Sequence, residues 1–91
     1  MYDYEEEIII GKLKQVPTMK FTTTNKAICS NFLETSEEEI RLIAWEDLAL
    51  ELNEIKKDMV IKISGYRKYN TYIQKEEFVI KGILNASNTK D

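Results

Sequence analysis

The stretch Arg41-Leu42-Ile43-Ala44-Trp45-Glu46-Asp47-Leu48-Ala49 decides how the chain folds. Successive side chains of a strand leave opposite faces, so Ile40, Leu42 and Ala44 point one way and Arg41, Ile43 and Trp45 the other. The first set is a core face. The second places a cation, an aliphatic and the chain's one tryptophan side by side, a group ill-suited to water unless something binds there. From Leu48 the period changes: Leu48, Leu52 and Ile55 recur at helical spacing, and Ala49 widens the stripe. The stretch therefore predicts a strand with an outward aromatic that turns at once into a short amphipathic helix. The helix is expected from Asp47, as N-cap, to Lys56. Acids lead it and Lys56-Lys57 close it, as the helix dipole prefers.

Working outward, the 91 residues suffice for one small domain, and a hydrophobic share of 43 % supplies one core. No run approaches the roughly 20 apolar residues that span a bilayer. Met1 to Glu7 is acidic and lacks the basic-then-apolar order of a signal peptide, so a soluble cytoplasmic protein is expected. The lone Cys29 agrees, since small secreted domains carry paired cysteines; it reads as a small buried hydrophobe. With no histidine and one cysteine, neither a zinc site nor a Ser-His or Cys-His nucleophile is expected. No sequence feature pairs two carboxylates in a pocket, and a binding protein, with no metal or cofactor, is expected rather than an enzyme. The net charge of −3 argues mildly against nucleic acid, but its distribution is uneven. Acids sit in blocks (Glu5 to Glu7, Glu37 to Glu39), while Lys12, Lys14, Lys20, Lys26, Lys62, Arg67, Lys68 and Lys75 lie between them. One acidic and one basic side is one reading; an ordinary solvated surface is the other.

Glu6 to Leu13 reads as a first strand with Ile8 and Ile10 inward, Ile9 outward and a bulge or bend at Gly11. A connection around Pro17 leads to an extended Met19 to Thr23, then a tight turn at Asn25-Lys26. Ala27 to Leu33 is the next strand, and Thr35 to Glu38 a short connection into Ile40 to Trp45. After the helix, Met59 to Tyr66 is a strand with Ile61 and Ile63 inward, ended or bent by Gly65. Tyr66-Arg67-Lys68-Tyr69-Asn70-Thr71-Tyr72 is expected to be a hairpin loop interleaving three tyrosines with two cations. Glu76 to Leu84 is the last strand, so the domain is placed at 1–84, with 85–91 a short polar tail that frays. The chain is thus all-β with one short helix, and fits a five-stranded OB-fold barrel with the helix between strands 3 and 4. A small β-roll or an SH3-like barrel is the alternative.

These residues resemble a family. Gly11-Lys12-Leu13, Pro17, Lys20-Phe21-Thr22 and Asn25-Lys26-Ala27-Ile28 are similar to the opening of bacterial-type single-stranded DNA-binding proteins: G-x-L, a proline, Arg/Lys with Tyr/Phe, and G-K-A-V. Arg41-Leu42-Ile43-Ala44-Trp45, Leu48-Ala49, Leu52, Lys56-Lys57, Val60 to Ile63 and Gly65 resemble its R-V-V-x-[FW]-x-x-L-A … K-G-x-x-V-x-[IV]-x-G. The resemblance covers roughly residues 8–84; no single piece is specific, the combination fairly so. It implies an OB-fold that binds single-stranded DNA with little sequence preference in replication, repair or recombination, as a homodimer or homotetramer. Trp45 and Tyr72 fall on positions where the family stacks bases. Lys20, Lys26, Arg41, Arg67 and Lys68 fall on or beside backbone-contacting positions. Phe21, Lys62, Tyr66 and Tyr69 complete the expected nucleic-acid-binding set. Flat aromatic faces that take any base, with cations for phosphates, are what such binding requires.

The chain also departs from the pattern. Glu39 stands where the family often has another stacking tryptophan, and the connection before it is cut short. Asn25 replaces a glycine. Asn31 replaces a core aliphatic, so that strand is expected to hold a bulge or a one-residue shift. The family's long acidic tail ending in Phe has no counterpart, so docking of replication and recombination proteins onto such a tail is not expected. Short relatives include primosomal replication proteins that work as dimers. Ile9 and Val60, apolar on an outward parity, suit a subunit interface. The competing reading is an OB-fold protein–protein interaction module, a primosome-like accessory protein with weak nucleic-acid binding, meeting replication or recombination partners through its acidic blocks.

Overall fold

The alternation in these segments becomes a closed barrel in the computed structural model, which describes residues 5–87. The elements are β1 Glu7–Leu13, β2 Thr18–Phe21, β3 Ala27–Glu34, β4 Glu39–Trp45, α1 Asp47–Asn53, β5 Val60–Asn70 and β6 Lys75–Ser87. The strand order is β1-β5-β6-β4-β3-β2, and β1 also pairs with β3, which closes the sheet on itself. Every pairing is antiparallel except β4 with β6. β1 and β2 are two halves of one curled strand: β1 runs along β5 and reaches β3 at Leu13, and β2 continues down β3 from Ser30 to Ala27. Counted so, the barrel has five strands with the helix between the third and fourth, as the OB arrangement requires.

Leu13, Cys29, Leu33, Leu42, Ala44, Ile61, Ile63, Phe78 and Ile80 fill the barrel, and α1 plugs one end with Ala49 and Leu52. Burial pushes the Cys29 thiol up, as expected of a core cysteine. In β4, Ile40, Leu42 and Ala44 join that core while Arg41 and Trp45 remain on the outside.

The first strand corrects the sequence reading. Ile8 and Ile10 are outside, 58 % and 55 % exposed, while Ile9 packs on the core. Gly11 and Leu13 share the parity of Ile9, so β1 pairs with β5 from Glu7 to Lys12 without a bulge. Gly11 is needed for a different reason. A β-carbon there would run into the Glu34 carbonyl oxygen, where β1 crosses onto β3 to close the barrel.

Asn31 also does something other than break its strand. The β3–β4 register is continuous from Ile28 to Glu34. Asn31 is fully buried where β1 leaves the sheet around Pro17, and its Nδ2 donates to the Gln15 carbonyl at 2.9 Å. The amide serves a backbone acceptor that no neighbouring strand reaches.

At the strand–helix junction Glu46, not Asp47, occupies the N-cap, with φ 57° and no side-chain cap. The helix ends at Asn53, before Lys56 and Lys57, so no base lies in its last turn. β5 continues past Gly65 through the expected hairpin loop to Asn70, and the irregularities at Lys62/Ile63 and Ser64/Gly65 skip Leu84 and Lys81 on β6. Only 71–74 turn the chain. β6 extends beyond Leu84, with Asn85 to Ser87 paired to Lys62 through Val60; the rest of the expected tail lies outside the described residues. No helix among the described residues is long and apolar enough to cross a membrane.

Candidate nucleic-acid interface

The outward side chains of β3, β4 and β6 meet the β5–β6 arm in an open groove of about 350 Å³. Its floor is Ile28, Ile43 and Val79. Strand register places them together: Ile28 lies opposite Trp45, and Ile43 opposite Val79. Trp45 forms one wall, 41 % exposed, and Tyr69, Thr71 and Tyr72 the other. Tyr72 is held at the tip of the arm because Asn70 Oδ1 accepts from its backbone N–H at 2.8 Å. Tyr72 is 96 % exposed, which leaves its ring open to stacking.

Across the groove runs a row of charges. Arg41 in β4 lies opposite Glu77 in β6, and Glu77 opposite Lys68 in β5. Arg41 Nε sits 2.9 Å from Glu77 Oε2, but its N–H is not aimed at that oxygen, and this buried nitrogen finds no hydrogen-bond acceptor. Arg41 also stands at the mouth of a second groove of about 440 Å³, lined by Phe32, Glu39, Ile40, Ile73, Lys75 and Glu76. Phe32 lies directly opposite Arg41 on β3.

Arg41, Trp45, Lys68, Tyr69 and Tyr72 of the expected set thus line one groove. Lys20, exposed on β2, lies opposite Ile28 and so shares the groove's face. Phe21 has the parity of Met19, which packs on the core, and is not in the lining. Lys26 lies in the β2–β3 turn, and Lys62 points out beside Ile10 on β5. Tyr66 is half-buried opposite Val79.

Arg67 has other company. It donates through Nη1 and Nη2 to both oxygens of Glu38, at 3.2 and 2.6 Å, and through Nε to Glu7 at 2.8 Å. Glu76 lies 3.5 Å from Nη1. The hydrogen bond from Arg67 holds the Glu38 carboxyl below its usual range, and both acids raise Arg67 further. Lys68 and Arg67 are neighbours in sequence that leave β5 on alternate faces, one to the groove and one to this acidic cluster.

Glu77, Val79, Asn70 and Phe32 were missed by sequence reasoning. Phe32 and Ile28 share an outward parity that alternation could have shown. Glu77 depends on the parallel β4–β6 pairing, which no local pattern reveals.

No family model matches the sequence, and no curated protein matches it. Solved structures do. The protein priB from Ralstonia solanacearum superposes with a TM-score of 0.76 at 16 % identity, over 88 % of this chain and 96 % of that one. The SSB domain of a Synechococcus sp. protein gives 0.76 at 10 % identity, over 97 % and 99 %. The chain shares their OB fold. The mitochondrial single-stranded DNA binding protein of S. cerevisiae has it too, with a TM-score of 0.76 at 13 % identity over 96 % of this chain and 99 % of that one.

Proposed function

We propose that this OB-fold chain binds single-stranded DNA with little sequence preference, in replication, repair or recombination in the cytoplasm. The observation that carries the reading is one groove in which Trp45, Tyr69 and Tyr72 surround an apolar floor with Arg41 and Lys68 at its edges. Bases stack on the rings because every base has a flat face, and the cations meet phosphates. The neighbours named for single-stranded DNA binding support the same use of the barrel. Binding, not catalysis, is the activity.

The exposed Ile8 and Ile10 on β1, beside Val60 on β5, support a homodimer or homotetramer joined through that face. The acidic side of the second groove, Glu39 and Glu76, favours one further reading, a protein–protein module for replication or recombination partners.

Salt titration of oligo-dT binding, read by quenching of the single tryptophan, tests the proposal. Three phosphate contacts from Lys20, Arg41 and Lys68 give a log–log slope of about −2 for single strands. Saturable quenching that weakens along that slope supports it; absence of quenching at high protein and low salt leaves the interaction module.

A further inference from the structure

Glu77 is out of place in a groove for a polyanion. It is 7 % exposed, lies among Ile43, Val79 and Trp45, and forms one ion pair among the described residues, with Arg41. If its task were only to hold Arg41, the pair would be expected to look like Arg67 with Glu38, where both carboxylate oxygens accept directed hydrogen bonds. Instead the buried Arg41 N–H is misdirected. A carboxylate at the floor also keeps phosphates at the rim, beside Lys20 and Lys68, and turns base edges inward.

We propose that Glu77 reads the donor edge of a base, giving the groove a preference for guanine over thymine. The inference rests on the groove being a single-stranded DNA site. Guanine offers N1–H and N2–H side by side, which one carboxylate accepts together. Its O6, next along the same edge, meets a donor, and Arg41 stands beside Glu77 to supply one. Thymine offers a single N3–H between two carbonyl oxygens, whose lone pairs face the carboxylate and repel it. Cytosine and adenine, each with an amino group, fall between. Stacking on Trp45 and Tyr72 is indifferent to the base, so the bias is superimposed on general binding.

The test uses three labelled dT tracts of equal length with dG, deoxyinosine or dT at the centre, titrated by fluorescence anisotropy. Inosine keeps O6 and N1–H but lacks the 2-amino group. The wild type is expected to bind the dG oligomer at least about fivefold tighter than the all-dT one, the lower end of what one bidentate side chain–base contact discriminates, with inosine between. In Glu77→Gln the ratio should fall to near one, whatever common change in affinity the three oligomers show, since Glu77 also faces Arg41 in the groove. Equal affinities in the wild type overturn the proposal and leave strand binding intact. So does a ratio that survives in Glu77→Gln with affinity lowered uniformly, since Glu77 would then only position Arg41. If none of the oligomers binds, the reading of the groove itself fails.

Discussion

Replacing Arg67 by Met keeps the aliphatic stem and removes the charge, and its effect should be on stability, not on DNA. Arg67 joins Glu7 at the start of β1, Glu38 in the β3–β4 turn and Glu76 on β6. All three carboxylates are more than a third exposed, so each pair is screened and contributes at the surface scale. Two close pairs, one of them bidentate, plus the repulsion among three acids left without a cation, give a loss of about 1–2 kcal/mol. For a domain of this size that lowers Tm by roughly 5–15 °C. Urea melts of Arg67→Met, Glu38→Gln and the double variant should show coupling of about 0.5 kcal/mol or more. The folded-state pKa of Glu38 is lowered, so its contribution is complete above the ordinary glutamate value of about 4.3 and is lost as pH falls through the lower folded value. The coupling should therefore vanish in acid. Unchanged stability with a loss of oligo-dT affinity as large as that of Lys68→Ala would refute the placement of Arg67 away from the groove.

Glu46 carries a positive φ that favours glycine, so Glu46→Gly should stabilise the fold by about 1 kcal/mol, the relief of strain less the entropy glycine loses, measured by urea denaturation. Asn31→Ala takes the donor from the Gln15 carbonyl and leaves a gap at a fully buried position, and should cost about 1–2 kcal/mol in the same assay. Ile10→Asp places a charge in the exposed face of β1; sedimentation velocity should show a folded protein shifted to a smaller species, and an unchanged species would remove that face from the interface.

Much of this architecture was legible from local pattern. The β4 strand alternates cleanly, and the switch to helical spacing at Leu48 marked the junction to within a residue. The run Ile8-Ile9-Ile10 carries no parity of its own, and only the buried Gly11 and Leu13, two and four residues on from Ile9, settle which face is inside. Adjacent cations Arg67 and Lys68 look alike in sequence. Alternation from Ile61 and Ile63 does separate them, but only once β5 is seen to run unbroken through Gly65, the residues skipped in its pairing, Leu84 and Lys81, lying on β6. Glu77 was hidden because a parallel pairing joins strands more than thirty residues apart, Arg41 to Glu77. Asn31 read as a defect because its partner, the Gln15 carbonyl, exists only once the first strand curls.

The central claim is that unpaired bases stack on Trp45 in the groove, and an equilibrium titration of wild type and Trp45→Ala with single- and double-stranded oligonucleotides tests it most directly. The wild type should prefer the single strand, and the variant should stay folded yet bind about 5- to 150-fold more weakly, the worth of one stacked base. Equal affinity of the two proteins for the single strand would contradict the account.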